Sequence, residues 1–291
     1  MTNPTIIDGL TIAKTIIDDV KKETSALAAQ DIMIGLAVVM VGNNPISQIY
    51  VNKKRKMALE AGINSFVYDV EESISTRDLK NLINELNQNP KVHGILVQLP
   101  LPSQINSIEI INSIDPNKDV DGFSIENIGK LITDQPGIFP CTPRGCLHLI
   151  KSVVSDIKGM NAVVVGRSNV VGRPMSNMLL NEDCTVTVIH LHTKNPAEIA
   201  RKADILVSAT GHPGLITPEW VNDNMIVIDV GQARIMVDGK EKLVGDVAFE
   251  QVKDKVRAIT PVPGGVGPMT VAYLLKNTVE AYHLQRSHTS N

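Results

Sequence analysis

The chain has 291 residues, of which 43% are apolar, 20% charged and 3% aromatic, with 28 basic side chains against 31 acidic ones. That apolar content excludes a disordered chain, and a net charge of −3 argues against a broad nucleic-acid surface. No apolar run approaches the ~18–20 residues that cross a bilayer, and the start, Met1-Thr-Asn-Pro-Thr-Ile-Ile-Asp-Gly, does not read as a secretory signal.

In chain order, a strand is predicted over Met33–Val41, a helix over Pro45–Ala61, a strand over Asn64–Val70, a helix over Thr76–Asn87 and a strand over Gly94–Leu99. A turn-rich stretch from Asp134 to Pro143 separates these from a second alternating series. That series has a helix over Pro143–Val154 and strands over Ala162–Val165, Thr185–Ile189, Ile205–Ala209 and Met225–Val230. Helices over Pro174–Asn181 and Pro196–Lys202 lie between the strands, and a last helix covers Val271–His283. Thr142 is a good N-cap for the helix at Pro143; Arg173 is a poor one for the helix at Pro174. Runs apolar at consecutive positions suit strands buried on both faces, so the chain reads as α/β with parallel sheets. The expected domains are 1–138, completed by 266–291, and 139–265. Cys141, Cys146 and Cys184 lack metal-site spacing and read as reduced thiols of a cytoplasmic protein without a metal.

Five segments carry candidate chemistry. In Ala162-Val-Val-Val-Gly-Arg-Ser-Asn-Val-Val-Gly-Arg-Pro, a buried strand ends at Gly166 and a helix opens beyond Gly172. Free N–H groups there suit a phosphate, although the spacing is neither G-x-G-x-x-G nor a P-loop, and a plain strand–helix turn is the alternative. The next strand ends in His190-Leu-His-Thr-Lys with no carboxylate for a ribose hydroxyl. With Arg167 in the loop, that favours NADP over NAD. On the helix starting at Pro45, Asn44 is the expected cap and Gly62 the stop, while Ile46, Ile49, Tyr50, Met57 and Ala61 share one face with Lys53 and Lys54. Those lysines either snorkel or point into a cleft, where crowding by neighbouring cations would ready Lys54 for proton transfer.

Gln98 ends an apolar strand, where ligands of open sheets gather, or else bonds its own loop. The run Asp115-Pro-Asn-Lys-Asp-Val-Asp-Gly-Phe fails as a calcium loop, because Ile128 stands where the twelfth-position Glu belongs. Its aspartates either cap a turn or grip a substrate N–H. Finally, Thr260-Pro-Val-Pro-Gly-Gly-Val-Gly-Pro-Met-Thr is a rigid loop, either a connector or a surface for a flat ligand.

Together, Ser47-Gln-Ile-Tyr-Val-Asn-Lys-Lys-Arg-Lys, Gly94-Ile-Leu-Val-Gln-Leu-Pro-Leu-Pro, the Asp115 run, Pro140-Cys-Thr-Pro-Arg-Gly, the Gly166 loop and the Thr260 loop resemble the bifunctional methylenetetrahydrofolate dehydrogenase/cyclohydrolase family. The resemblance covers nearly the whole chain. It implies a folate domain and a Rossmann-type NADP domain with the site in the cleft between them, in a homodimeric enzyme of one-carbon metabolism serving purine biosynthesis. That enzyme would oxidise 5,10-methylenetetrahydrofolate with NADP and hydrolyse the methenyl product to 10-formyltetrahydrofolate. The family's catalytic lysine falls on Lys54, with Tyr50, Gln98 and Asp121 beside it on the folate. Its cofactor contacts fall on Gly166, Arg167, Ser168, Thr193 and Gln232, and further substrate contacts on Pro263, Gly264 and Gly265. Two departures stand out: Gln232-Ala233 replaces the family's Ile-Asn, and Leu191 stands where some relatives place a serine or arginine against the 2′-phosphate. The first alters the loop that borders the nicotinamide in the family; the second implies a weaker NADP preference, with Arg167, Ser168, His190 or His192 left to meet the 2′-phosphate. A shikimate-dehydrogenase-like oxidoreductase or a non-enzymatic nucleotide sensor are the competing readings.

Overall fold

A computed structural model describes residues 4–237 and 239–289. They divide into two compact units, 14–141 with 271–289 and 4–13 with the described residues of 142–270.

The chain enters through β1 (Thr5–Ile6) and α1 (Gly9–Ala28). Asp8 caps α1 by accepting the N–H groups of Leu10 (3.0 Å) and Thr11 (3.2 Å). Next come β2 (Gly35–Val41), α2 (Pro45–Glu60), β3 (Asn64–Val70), α3 (Thr76–Gln88) and β4 (Gly94–Val97). These form a three-stranded parallel sheet in the order β3-β2-β4. The central strand β2 is buried at every position, which explains its unbroken apolar run. Leu79, Ile83 and Leu86 of α3 pack on Ala37, Val39, Ile95 and Val97 to make this core. Two short helices, α4 (Ser107–Ile111) and α5 (Ile125–Ile132), follow; the sequence reading lacks them.

The second unit holds α6 (Cys141–Val153), β5 (Asn161–Val165), α7 (Gly172–Asn181), β6 (Thr185–Ile189), α8 (Pro196–Ala200), β7 (Ile205–Ser208) and β8 (Ile226–Asp229). A hairpin of β9 (Ala233–Val237) and β10 (Lys240–Val244), then α9 (Phe249–Val252) and β11 (Ala258–Ile259), complete it. Its six-stranded sheet, β1-β11-β8-β7-β5-β6, is parallel throughout. Val163, Leu206, Val227 and Ile259 pack there with Trp220 and Met225. α6 starts at Cys141, before the expected Pro143, so Thr142 lies inside the helix rather than capping it. Its hydroxyl instead meets Thr270 Oγ1 at 2.9 Å.

The last helix, α10 (Val266–Thr289), returns to the N-terminal unit over residues 271–289. Gln285 Nε2 donates to the carbonyls of His93 (2.8 Å) and Asn117 (3.0 Å), and Thr278 lies against Gly94.

Candidate active site

α2 begins as its sequence suggests. Asn44 Oδ1 accepts the Ser47 N–H at 3.1 Å, and at the far end Gly62 (φ +74°) lets the chain leave the helix. Its buried face, however, is not the expected one. Ile49 and Tyr50 are 56% and 40% exposed, whereas Ser47, Val51, Ala58 and Ala61 are buried; the side chain of Ile46 lies outside the described residues. Lys54 falls in register with that buried stripe and is half-buried, while Lys53 is exposed. Small residues along the stripe let the helix sit close to the sheet, which tucks Lys54 in and leaves Tyr50 at the rim one turn earlier.

Gln98 directly follows β4, its N–H donating to Val39 O at 2.8 Å. Its side-chain Oε1 accepts from Lys54 Nζ at 3.0 Å, and its Nε2 donates to Leu99 O at 2.7 Å. The bond to its own loop is thus present, and the same amide also holds Lys54. Asp121 faces the same lysine and lines a narrow recess with Val97, Leu99, Ile111 and Phe123. Burial pushes its carboxyl up to about 6, against the pull of the Lys54 ammonium; the Asp119 charge adds to the rise. The structure thus brings Lys54, Gln98 and Asp121 together, with a cation, an amide and a titratable acid at the carboxyl end of β4.

In the other unit, Gly166 has φ +111°, and a Cβ on it would stand 2.4 Å from Ala209 O. A Cβ on Gly172 would stand 2.2 Å from Gly166 O, so the loop between them must stay tight. Ser168 Oγ accepts the N–H groups of Val171 (3.2 Å) and Gly172 (3.3 Å), which leaves its own proton to give. Among the described residues, the N–H groups of Arg167, Ser168, Asn169 and Val170 have no acceptor within the chain. This donor-lined cradle at the start of α7 fits a phosphate-bearing dinucleotide. Thr193 closes the turn after β6, its Oγ1 accepting from His190 N at 3.0 Å. Gln232 reaches the start of α10, its Nε2 2.6 Å from where a Cβ on Gly267 would be. Pro263, Gly264 and Gly265 belong to this unit, not to the one holding Lys54.

Two family profiles match the chain: the catalytic domain of tetrahydrofolate dehydrogenase/cyclohydrolase over residues 7–121, and its NAD(P)-binding domain over 140–286. The bifunctional protein FolD of Gluconobacter oxydans is 51% identical over 278 residues, 95% of this chain and 91% of its own. The crystal structure of FolD from Campylobacter jejuni superposes with a TM-score of 0.94 at 46% identity, covering 97% and 99% of the two chains. FolD from Trypanosoma brucei, solved with NADP and an inhibitor, gives 0.93 at 37% identity over 98% and 99%. The chain belongs to the tetrahydrofolate dehydrogenase/cyclohydrolase family.

Within this family member, two further residues shape the site that the sequence did not single out. Asp119, buried, accepts the N–H groups of Gly122 (3.0 Å) and Ser124 (2.8 Å) and the Asn127 amide (3.2 Å), folding the turn that presents Asp121. From α10, buried Asn277 donates to the carbonyls of Val120 (2.8 Å) and Phe139 (2.9 Å). A polar amide amid the apolar residues of that helix was the available signal for Asn277; Asp119 plays the turn-capping part that the aspartates of the Asp115 run were expected to offer.

Proposed function

We infer that this chain oxidises 5,10-methylenetetrahydrofolate to 5,10-methenyltetrahydrofolate with NADP and hydrolyses that product to 10-formyltetrahydrofolate. The observation that carries the residue assignment is the 3.0 Å bond between Lys54 Nζ and Gln98 Oε1, with Asp121 facing the same ammonium. In this reading, Asp121 accepts N–H donors of the pterin, Tyr50 lines the ring, and Gln98 fixes the lysine over the reacting carbon. In the hydrolysis, water adds to the cationic methenyl carbon and one of that carbon's two C–N bonds breaks; Lys54, acting as the neutral amine, takes one of the water's protons and the freed nitrogen keeps the other. NADP, when bound, supplies hydride acceptance for the oxidation. The Gly166–Gly172 cradle holds its phosphates through the amides of residues 167–170 and the Ser168 hydroxyl, with Arg167 adding a positive charge. Thr193 and Gln232 border it, and Pro263, Gly264 and Gly265 contact the substrate.

The same reading makes the protein a cytoplasmic homodimer serving purine biosynthesis. Cys141, Cys146 and Cys184, buried and joined in no disulfide, suit a reducing compartment. A shikimate-dehydrogenase-like or non-enzymatic reading leaves the match of the catalytic-domain profile unexplained. The deciding experiment incubates the protein with methylenetetrahydrofolate and NADP or NAD, following reduced cofactor and methenyl absorbance separately. Cofactor reduction with transient or no methenyl build-up is expected; no reduction with either cofactor would overturn the assignment. Sedimentation at several concentrations tests the dimer.

A further inference from the structure

The Asp115 run, whose end presents Asp121, holds a cation that the proposed chemistry does not use. Lys118 is 6% exposed, and its ammonium donates to three backbone carbonyls at the end of α3: Asn87 at 2.7 Å, Asn89 at 3.1 Å and Leu86 at 3.4 Å. The last carbonyls of a helix lack intrahelical donors and carry the negative end of its dipole. α3 has no basic residue in its own last turn, so a lysine 31 residues on from Asn87 supplies the charge. Burial lowers the Lys118 ammonium from the usual lysine value, and the Asp115 charge opposes that fall. A buried cation is tolerated where its protons find acceptors, as they do here.

The helix end returns the grip. Asn87 Nδ2 donates to the Ser113 carbonyl at 2.8 Å, and its Oδ1 accepts the Asp115 N–H at 3.0 Å. Lys118 and Asp119 in turn donate their N–H groups to Asp115 O at 2.7 and 2.9 Å. The segment from Ser113 to Asp119 is thus bound to α3 near both of its ends.

The same segment runs parallel to β4. The Ile95 N–H donates to Lys118 O at 2.7 Å, and Ile95 pairs with Asp119. Two residues further along each chain, Val97 and Asp121 line the same recess, and Gln98 follows Val97. Side chains alternate along an extended chain, so a slip of one residue would turn Asp121 away from the recess and from Lys54. We propose that Lys118 and Asn87 are positioning residues that together clamp this segment to α3, in the one register that sets Asp121 opposite Lys54 to meet the folate. The proposal rests on the folate reading of that site.

The test uses the full chain and measures methylenetetrahydrofolate binding by calorimetry without NADP. Amide hydrogen exchange and thermal unfolding are followed on the ligand-free protein. Lys118→Met keeps an unbranched side chain of similar bulk and removes the charge and the donors. It should raise the folate dissociation constant about tenfold. Dehydrogenase turnover at saturating folate should fall less than about threefold, because Lys54 stays bonded to Gln98. Affinity for NADP, whose cradle lies in the other unit, should stay within about twofold. The Gly122 and Ser124 amides, both held by Asp119, should exchange at least about tenfold faster. In an Asp121→Ala background, Lys118→Met should change folate affinity less than about twofold, since the residue it positions is gone. Equal losses in both backgrounds would overturn the clamp in favour of general loosening. A lower melting temperature with unchanged folate affinity would leave Lys118 a structural role alone. Should Lys118→Met not fold, Asn87→Ala decides: it should weaken folate binding about threefold or more, and wild-type affinity would overturn the proposal. If the wild type bound no folate, the folate reading would fall, while exchange at Gly122 and Ser124 would still decide whether Lys118 clamps the segment.

Discussion

Replacing Lys54 with glutamine separates two contributions of one side chain. The amine donates to Gln98 Oε1 at 3.0 Å and faces the Asp121 carboxylate, so it both orders the site and can exchange a proton. A glutamine at this half-buried position keeps a hydrogen-bonding group of shorter reach but cannot titrate. Loss of one charge-assisted hydrogen bond is worth about 1.5–3 kcal/mol, whereas loss of a general base costs ~100- to 10,000-fold, or about 2.7–5.4 kcal/mol. The proton-transfer loss is the larger, so hydrolysis should suffer more than hydride transfer, which depends on alignment. The expected result is a fall of at least ~100-fold in methenyltetrahydrofolate hydrolysis and of roughly tenfold in dehydrogenase turnover, with NADP affinity unchanged. Decay of methenyl absorbance in cofactor-free buffer reads the first, and appearance of reduced cofactor reads the second. Lys53→Gln is the control, because Lys53 is exposed on the same helix. Equal losses in both activities of Lys54→Gln would assign the lysine to orientation alone. Wild-type hydrolysis in that variant would remove it from the chemistry.

Asp121→Ala should weaken folate binding about ten- to a hundredfold, as expected for a lost charged acceptor; unchanged binding by calorimetry would exclude the residue from the site. In the wild type, affinity should decline as pH falls through about 6, where the Asp121 carboxyl gains its proton, and Asp121→Asn should lack that decline. Arg167→Ala should raise the KM for NADP about three- to tenfold and leave NAD kinetics nearly untouched, the effect being modest because Arg167 is exposed. An equal change with both cofactors would refute Arg167 as a source of the NADP preference. Asn277→Ala removes the amide donor from the Val120 and Phe139 carbonyls and leaves Val120 only the weak Cys141 thiol, so unfolding free energy should drop about 1–3 kcal/mol and the folate KM should rise, measured by denaturant titration and steady-state kinetics.

What the sequence disclosed follows from which forces act locally. The strands β2, β4, β5, β7 and β8 are legible because burial on both faces demands consecutive apolar residues, and the edge strands β3 and β6 because they are rich in β-branched and aromatic residues; each sits within two or three residues of its expected bounds. α1 escaped notice because Ala13 and Thr24 share its buried side with Ile16, Val20 and Leu27, which dilutes the apolar period. β1, two residues long, has no period to read. On α2 the apolar pattern misled: the exposed Ile49 and Tyr50 outweighed a buried stripe made partly of Ser47, Ala58 and Ala61. Lys54 breaks that stripe. Local rules fail most often where function overrides them, and the helix carrying the candidate base is such a place. Motif strings located Gln98 and Asp121, yet the Asn277 bonds that help hold the Asp121 turn join residues distant in sequence, beyond the reach of spacing.

The two units use buried carboxylates in opposite ways, and the difference lies in the partner each is given. Asp121 faces Lys54, so ionisation at neutral pH is supported by a cation while one side stays open to a recess that can admit an N–H donor. Asp229 has no such cation: its carboxyl accepts the backbone N–H groups of Gly231, Asp246 and Val247. An acid beside a cation is poised to bind; an acid ringed by backbone amides holds the turn around it. Removing the cation should therefore change the behaviour of Asp121. In Lys54→Met, which removes the cation and keeps the bulk of the side chain, the Asp121 transition near pH 6 should move upward by about one unit or more. Side-chain carboxyl NMR of the ligand-free protein would follow it without any need for activity. A transition that stayed at its wild-type position would mean that Lys54 does not set the charge of Asp121, and the electrostatic basis for placing both on the folate would fall with it.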